Sequence, residues 1–188
     1  MTQDDEQQRI WKVHSSTYLY KKPWLTVRSD DVELPNGAHI PEYFVLEYPE
    51  WVGVVAVTKD GKMIMERQYR HGLGRFDYEI CAGVCDPTDK DFLAAAQREL
   101  MEETGFGGGH WELLSEVSAN PGTHSNLVHC FLATDVEQLA PSNQEATEDI
   151  SVVFLSKAEV YDLLVRDEIK QAMHAVPLWK YMALHPDR

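Results

Sequence analysis

Basic residues are scarce in this chain: 17 Lys and Arg stand against 31 Asp and Glu, a formal net charge of −14 over 188 residues. They form no cluster, so there is no basic face to follow a nucleic-acid backbone, and nucleic acid is not an expected partner. Cysteine is sparse too. Cys81, Cys85 and Cys130 make an odd set without a CxxC spacing, which argues against a disulfide framework and points to a reducing, cytoplasmic compartment. No second Cys/His pair matches Cys81 and Cys85 in spacing, so a structural zinc is not expected. No apolar run approaches the roughly 20 residues of a membrane span. The opening MTQDDEQQR resembles neither a signal nor a transit peptide, and no membrane association is expected. Internal repeats and low-complexity linkers are also missing.

What remains is the composition of a folded domain, 44% hydrophobic and 26% charged. The first eight residues are polar and read as frayed. From Trp11 to about Glu47 the chain reads as strands, with Asn36-Gly37 marking a hairpin. WVGVVAV (51–57) is short and continuously apolar, as a strand covered on both faces would be. Asp60-Gly61 turns it into MIMERQY (63–69), and Phe76–Ile80 reads as a further strand. A helix is predicted over Asp91–Glu103 with a stop at Gly105, followed by a Gly107-Gly108-Gly109 turn. Strands return at 111–119, 127–136 and 150–155, and helices at Lys157–Val165 and Ile169–Leu184. This order predicts an α/β fold, a mixed sheet packed between helices. Residues 1–48 form a strand-rich segment, a sub-domain or an arm reaching a partner, ahead of a domain over 49–188.

One stretch conflicts with helix physics. RELMEETG (98–105) gathers Glu99, Glu102 and Glu103 within an arc of about 100° on a helix. They flank an apolar stripe of Phe92, Leu93, Ala96 and Leu100. Like charges at i,i+4 cost about 0.2–0.5 kcal/mol, and the helix C-terminus already carries partial negative charge. Two readings fit: a solvated acidic face, or a site for a hard cation such as Mg²⁺ or Mn²⁺, which takes carboxylate oxygens and substrate phosphates. Arg98, at i,i+4 from Glu102, could orient one carboxylate.

AGVCDPTDKDFLAAAQRELMEETGF resembles the Nudix box: Gly, five residues, Glu, seven residues, then Arg-Glu-apolar-X-Glu-Glu-X-Gly-apolar. Arg98 to Phe106 fits at every position. The first half departs by one residue: Gly83 lies too far upstream, and the family's first Glu falls on Asp89 or, counted back from Arg98, on Lys90. An insertion before the helix, with Asp89 standing in for that Glu, accommodates both. QYR (68–70), Glu79-x-x-Ala82-Gly83, PGTHSN (121–126) and EDI (148–150) are similar to the ADP-ribose and sugar-nucleotide pyrophosphatase branch.

The resemblance implies an α/β/α sandwich and hydrolysis of a nucleoside diphosphate sugar into two monophosphates. It implies Mg²⁺, with Mn²⁺ as the alternative, on Glu99, Glu102, Glu103 and the carbonyl of Gly83. The base is implied to come from the loop before a late strand, where Glu148 is the first choice and Glu145 the second. It also implies a homodimer that exchanges N-terminal strands. Arg70 has the chemistry to clamp a phosphate, or is an ordinary edge-strand charge. Glu79 could accept hydrogen bonds from a ribose or base, or be a surface strand residue. His124 and His129 read as loop and sheet histidines. Trp24 and Tyr43 read as core residues by default, or as platforms for a base. A non-catalytic domain that binds a nucleotide sugar as a signal is the competing class, but such a domain would be expected to lose one of the three glutamates.

Overall fold

The computed structural model describes residues 2–186. The chain divides into two compact units. One takes the chain up to Pro49 together with Asn120–Asn126, and the other comprises Glu50–Ala119 and the chain from Leu127 onward.

The first unit opens on a short helix, α1 (Gln3–Gln7), where a frayed end was expected. Its start is stabilised locally: the Thr2 hydroxyl accepts from the Asp5 N–H, and the Asp5 carboxylate accepts from the Thr2 N–H. Three antiparallel strands follow in sheet order, β1 (Lys12–Lys22), β2 (Leu25–Glu33) and β3 (His39–Glu47). Asn36-Gly37 closes the β2–β3 hairpin, with Gly37 at φ 80°, a conformation costly for any residue with a Cβ. The 120–126 turn belongs with this sheet, since the Tyr43 hydroxyl donates to the Gly122 carbonyl at 2.5 Å and Leu46 bridges His124. Trp24 does not pack in a core, because it is 81% exposed in the turn between β1 and β2. Tyr43 instead meets Trp11 edge to face, with ring centroids 5.6 Å apart.

The second unit is built on β4 (Trp51–Thr58), which pairs in parallel with β10 (Val128–Gln138). The central order is β11 (Ile150–Leu155), β5 (Met63–Arg70), β4, β10 and β8 (Phe106–Gly107). Three further strands attach to it: β6 (Arg75–Glu79) on β5, β7 (Cys81–Val84) on β4 and β9 (His110–Val117) on β10. Strand β7 was not expected. Period-2 geometry sends Val52, Val54 and Ala56 to one face and Val55 and Val57 to the other. The first set packs on Ala95, Ala96 and Leu100 of α2 (Phe92–Thr104). The second packs on α3 (Lys157–Val165) and α4 (Ala172–Leu184), through residues such as Leu163, Leu164 and Leu178. The result is an α/β/α sandwich with two separate apolar cores.

Helix α4 begins at Ala172 rather than Ile169. The Lys170 N–H donates to Asp77 Oδ2 at 3.1 Å, and Asp167 sits at φ 53°, so the backbone there is already committed elsewhere. Ile169 still enters the core.

Candidate active site

Helix α2 starts where Asp91 caps it: the Asp91 carboxylate accepts from the Ala94 N–H at 2.8 Å. It stops at Gly105, left-handed at φ 77°, whose N–H returns to the Met101 carbonyl. A Cβ at Gly105 would collide with the Ala140 carbonyl, so the residue fixes both the helix end and the path of the next loop. The buried face is rotated from the predicted stripe. Phe92 is 40% exposed and stacks on His129 at 3.7 Å, whereas Glu99 and Glu103 are buried beside Ala95, Ala96 and Leu100. Small alanines let the helix approach β7 closely. The acids therefore lie against the sheet, not on a solvated rim.

Gly83 makes this approach possible. A Cβ there would occupy the position of the Glu99 carboxylate, so Glu99 rests directly on the β7 backbone. Burial raises the Glu99 carboxyl above the ordinary glutamate range, while Arg98 works in the opposite direction. Glu103 is pushed up to about 7, chiefly by burial and further by the charges of Glu99 and Glu148. Glu102 stands at the edge, its side chain 45% exposed.

Arg98 links these acids to the loop before the helix. Its Nη1 donates to Glu99 Oε1 at 3.0 Å and Glu102 Oε2 at 2.9 Å. Its Nε and Nη2 hold Asp89 at 3.1 and 2.9 Å, and Nη2 also donates to the Val84 carbonyl at 3.1 Å. Asp89 is thereby held below the usual carboxylate range by the guanidinium. This bidentate grip absorbs the one-residue insertion, since Asp86 and Thr88 close the extra turn. Arg98 thus orients carboxylates and is itself fully engaged.

The loop 141–149 is tied to the same helix end. The Asn143 N–H donates to the Glu102 carbonyl at 2.7 Å, and Gln144 Nε2 donates to the carbonyls of Glu103 and Ile150. These bonds satisfy helix C-terminal carbonyls that have no intrahelical partner. They bring Glu148 near enough for its charge to raise Glu99 and Glu103. Glu148 Oε2 accepts from the Glu145 N–H at 2.7 Å, and the Glu145 side chain points to solvent.

Arg70 and Glu79 meet each other. Arg70 Nε donates to Glu79 Oε1 at 2.6 Å, and Nη2 donates to Glu79 Oε2. Glu79 is buried, with His174 Nε2 3.4 Å from its Oε2. Although burial opposes it, the bonds from Arg70 and the proximity of His174 hold the Glu79 carboxyl down at about 2. Glu79 is therefore not a surface residue, and both its oxygens are engaged. The pair borders a cavity of about 240 Å³ lined by Trp51, Arg70, Gly83, Gln171, Met173 and His174.

Glu66 went unnoticed in the sequence. It lies two residues after Ile64 on β5, on the face that meets α2, where an apolar residue is the rule; that violation was the available signal. Burial, then Glu103, raises its carboxyl well above the ordinary range. Gln144 also went unnoticed, because its role depends on carbonyls distant in sequence.

An α/β/α sandwich that gathers carboxylates at one helix end against the Gly83 backbone defines a class of domain able to hold a hard cation. The comparisons narrow it. A family model for the NUDIX domain matches residues 47–176, and one described as the nucleoside diphosphate sugar hydrolase N-terminal domain matches residues 11–46. The chain belongs to the Nudix family. It is 28% identical to an ADP-ribose pyrophosphatase of Mycobacterium tuberculosis, over 91% of this chain and 81% of that protein. It is 35% identical to an ADP-ribose pyrophosphatase of Bacillus subtilis, over 75% and 71%. The crystal structure of an ADP compounds hydrolase superposes with a TM-score of 0.80 at 25% identity, covering 93% of each chain.

The residues fit a divalent cation. Glu103 Oε2 is buried without a hydrogen-bond partner among the described residues, the missing Cβ of Gly83 leaves room for the Glu99 carboxylate, and an all-oxygen donor set suits a hard ion. Among the described residues, no helix is long and apolar enough to cross a membrane.

Proposed function

We propose that the chain is a metal-dependent pyrophosphohydrolase that cleaves ADP-ribose or a related nucleoside diphosphate sugar into two monophosphates. The observation that carries this reading is the burial of Glu99 and Glu103, with Glu102 beside them, against Gly83 at the wrong end of a helix dipole. Such an arrangement lowers stability unless a cation offsets it. The names of the relatives support the substrate class.

Glu99, Glu102, Glu103 and the Gly83 carbonyl would hold Mg²⁺, with Mn²⁺ as the alternative. A cation held there would supply neutralisation of the diphosphate and a more nucleophilic water near neutral pH. Arg98 keeps Glu99 and Glu102 aimed at the site, at hydrogen-bond distance from both. Glu148, held next to the helix end by the Gln144 and Asn143 bonds, receives the proton of the attacking water; Glu145 is the alternative on the same loop. Arg70 presents Nη1, outside its pair with Glu79, to a phosphate oxygen at the cavity edge. Glu79 acts by fixing Arg70.

Residues 1–48 are proposed as a dimer-forming unit and 49–188 as the catalytic one. Strand β1 is exposed along its length, including Val13, Tyr18, Leu19 and Tyr20, and so much apolar surface suits a second copy of the chain. Free thiols suit a cytoplasmic location.

Purified protein with ADP-ribose and millimolar Mg²⁺ is expected to give AMP and ribose 5-phosphate by phosphorus NMR, and chelation with EDTA to stop the reaction. Tight binding of nucleoside diphosphate sugars without cleavage of any would contradict the proposal.

A further inference from the structure

A second group of donors lies behind the glutamate helix. Glu66 on β5, Cys81 on β7 and Glu103 on α2 each offer one ligand atom, and these atoms all lie within 4.8 Å of one another. All three residues are buried: Glu66 is 3% exposed, Cys81 1% and Glu103 5%. Glu66 Oε1 and Glu103 Oε2 have no hydrogen-bond partner among the described residues. An interior carboxylate oxygen without a donor is rare in folded proteins and calls for a counter-charge. Neither Gly83 nor Glu99 belongs to this triad, and Cys85, the other cysteine of the AGVC stretch, is not part of it.

The three donors come from three elements fixed by the packing already described. Cys81 pairs in register with Val54 on β4, and Glu66 pairs with Glu79 on β6. Glu103 is one turn beyond Glu99 on the buried face of α2. The geometry is rigid and enclosed, and it mixes one sulfur with carboxylate oxygens. That donor set differs from the all-oxygen set of Glu99 and Glu102.

We propose that Glu66, Cys81 and Glu103 form an inner divalent-cation site that favours borderline ions such as Co²⁺ and Zn²⁺ over Mg²⁺. Thiolate is the softer ligand and selects such ions, whereas magnesium prefers oxygen and retains its water. On binding, the ion takes the place of the Cys81 proton and of any proton held by the Glu66–Glu103 pair, which leave to solvent, and two carboxylates with one thiolate surround its double charge. The inference rests on the proposed function in one respect, that Glu103 faces both sites.

Cobalt separates the two sites, because only ligation by sulfur gives a thiolate-to-cobalt charge-transfer band in the near ultraviolet. Titrating Co²⁺ into the metal-free full chain is expected to raise that band. Cys81→Ala should abolish it and weaken Co²⁺ binding at this site more than about tenfold, and the near-isosteric Glu66→Gln should weaken it comparably. Cys81→Ser, which keeps the volume and supplies an oxygen, should lose the band even if Cys81→Ala does not fold. Glu102→Gln, which touches only the outer set, should keep the band while losing Mg²⁺-supported turnover. A wild-type titration without a thiolate band, or a band that survives Cys81→Ser, would overturn the inner site and leave the outer one standing.

Discussion

Glu79 and Glu103 are the same residue type, both buried in the same unit, and they titrate in opposite directions. Glu79 is held at about 2 because Arg70 and His174 lie against it. Glu103 rises to about 7 chiefly because it is buried, and further because Glu99 and Glu148 are its neighbours. In the Arg70–Glu79 corner the sequence encodes both partners of the ion pair. In the Glu66–Glu103 corner the acids face each other without a bonded cationic side chain, and the proposed cation would come from solution. A corner that supplies its own counter-charge is structural, and one that lacks it is available for chemistry.

Four experiments test the two corners against each other, and the largest effect is expected for Glu103→Gln. With Mg²⁺ present it should lower kcat by about a thousandfold or more, as removal of a group that stabilises developing charge does. At the same time the metal-free protein should melt no lower at pH 8 than the wild type. Loss of activity together with a collapsed melting temperature would make Glu103 structural instead. Next in size is Arg70→Met, which strands Glu79 without its cation; denaturant unfolding should show a loss of about 3–5 kcal/mol. A change under 1 kcal/mol would show that the pair contributes little.

The third test is pH, and the signs differ between the corners. Glu79 has a folded pKa below its unfolded one, so its stabilisation is present above about 4.5 and is lost as pH falls toward about 2. Glu103 has a folded pKa above its unfolded one. Its contribution is full below about 4.5 and is lost as pH rises through about 7. Each window should carry about 3 kcal/mol in EDTA-treated protein. The neutral slope should become shallower in Glu103→Gln, where the raised Glu66 and Glu99 remain, and flatten when Mg²⁺ is added, whereas the acid slope should not respond to Mg²⁺. The smallest effect is expected for Arg98→Lys, which keeps the charge but loses the fork on Asp89, Glu99 and Glu102. Activity should fall about tenfold with Mg²⁺ affinity reduced, close to 1.4 kcal/mol.

Much of this was legible in the chain because it is local. Arg98 to Gly105 shows its helix, its stop and its three acids within eight residues. The Asn36-Gly37 and Asp60-Gly61 turns stand between the strands that pair in the structure. What could not be read is non-local. Glu66 looks like a charged residue on a strand until α2 covers it. Arg70 and Glu79, expected as separate substrate contacts, bond to each other because the β5–β6 hairpin puts them on one face, where the long Arg70 side chain reaches along the strands from its own pairing with Arg75 to Glu79. The 120–126 turn joins β3, far away in sequence, through the Leu46–His124 bridge. Propensity also lost to tertiary contacts at residues 169–171, where Asp77 takes the Lys170 N–H and delays α4.

The most direct test of an imported cation is a Mn²⁺ binding isotherm, read by electron paramagnetic resonance on the metal-free protein at neutral pH. Wild type should bind the ion and bind it more tightly with ADP-ribose present, and Glu102→Gln and Glu103→Gln should each weaken it. If wild type leaves Mn²⁺ free in solution, or if both variants bind it as wild type does, the glutamates of α2 do not hold the metal.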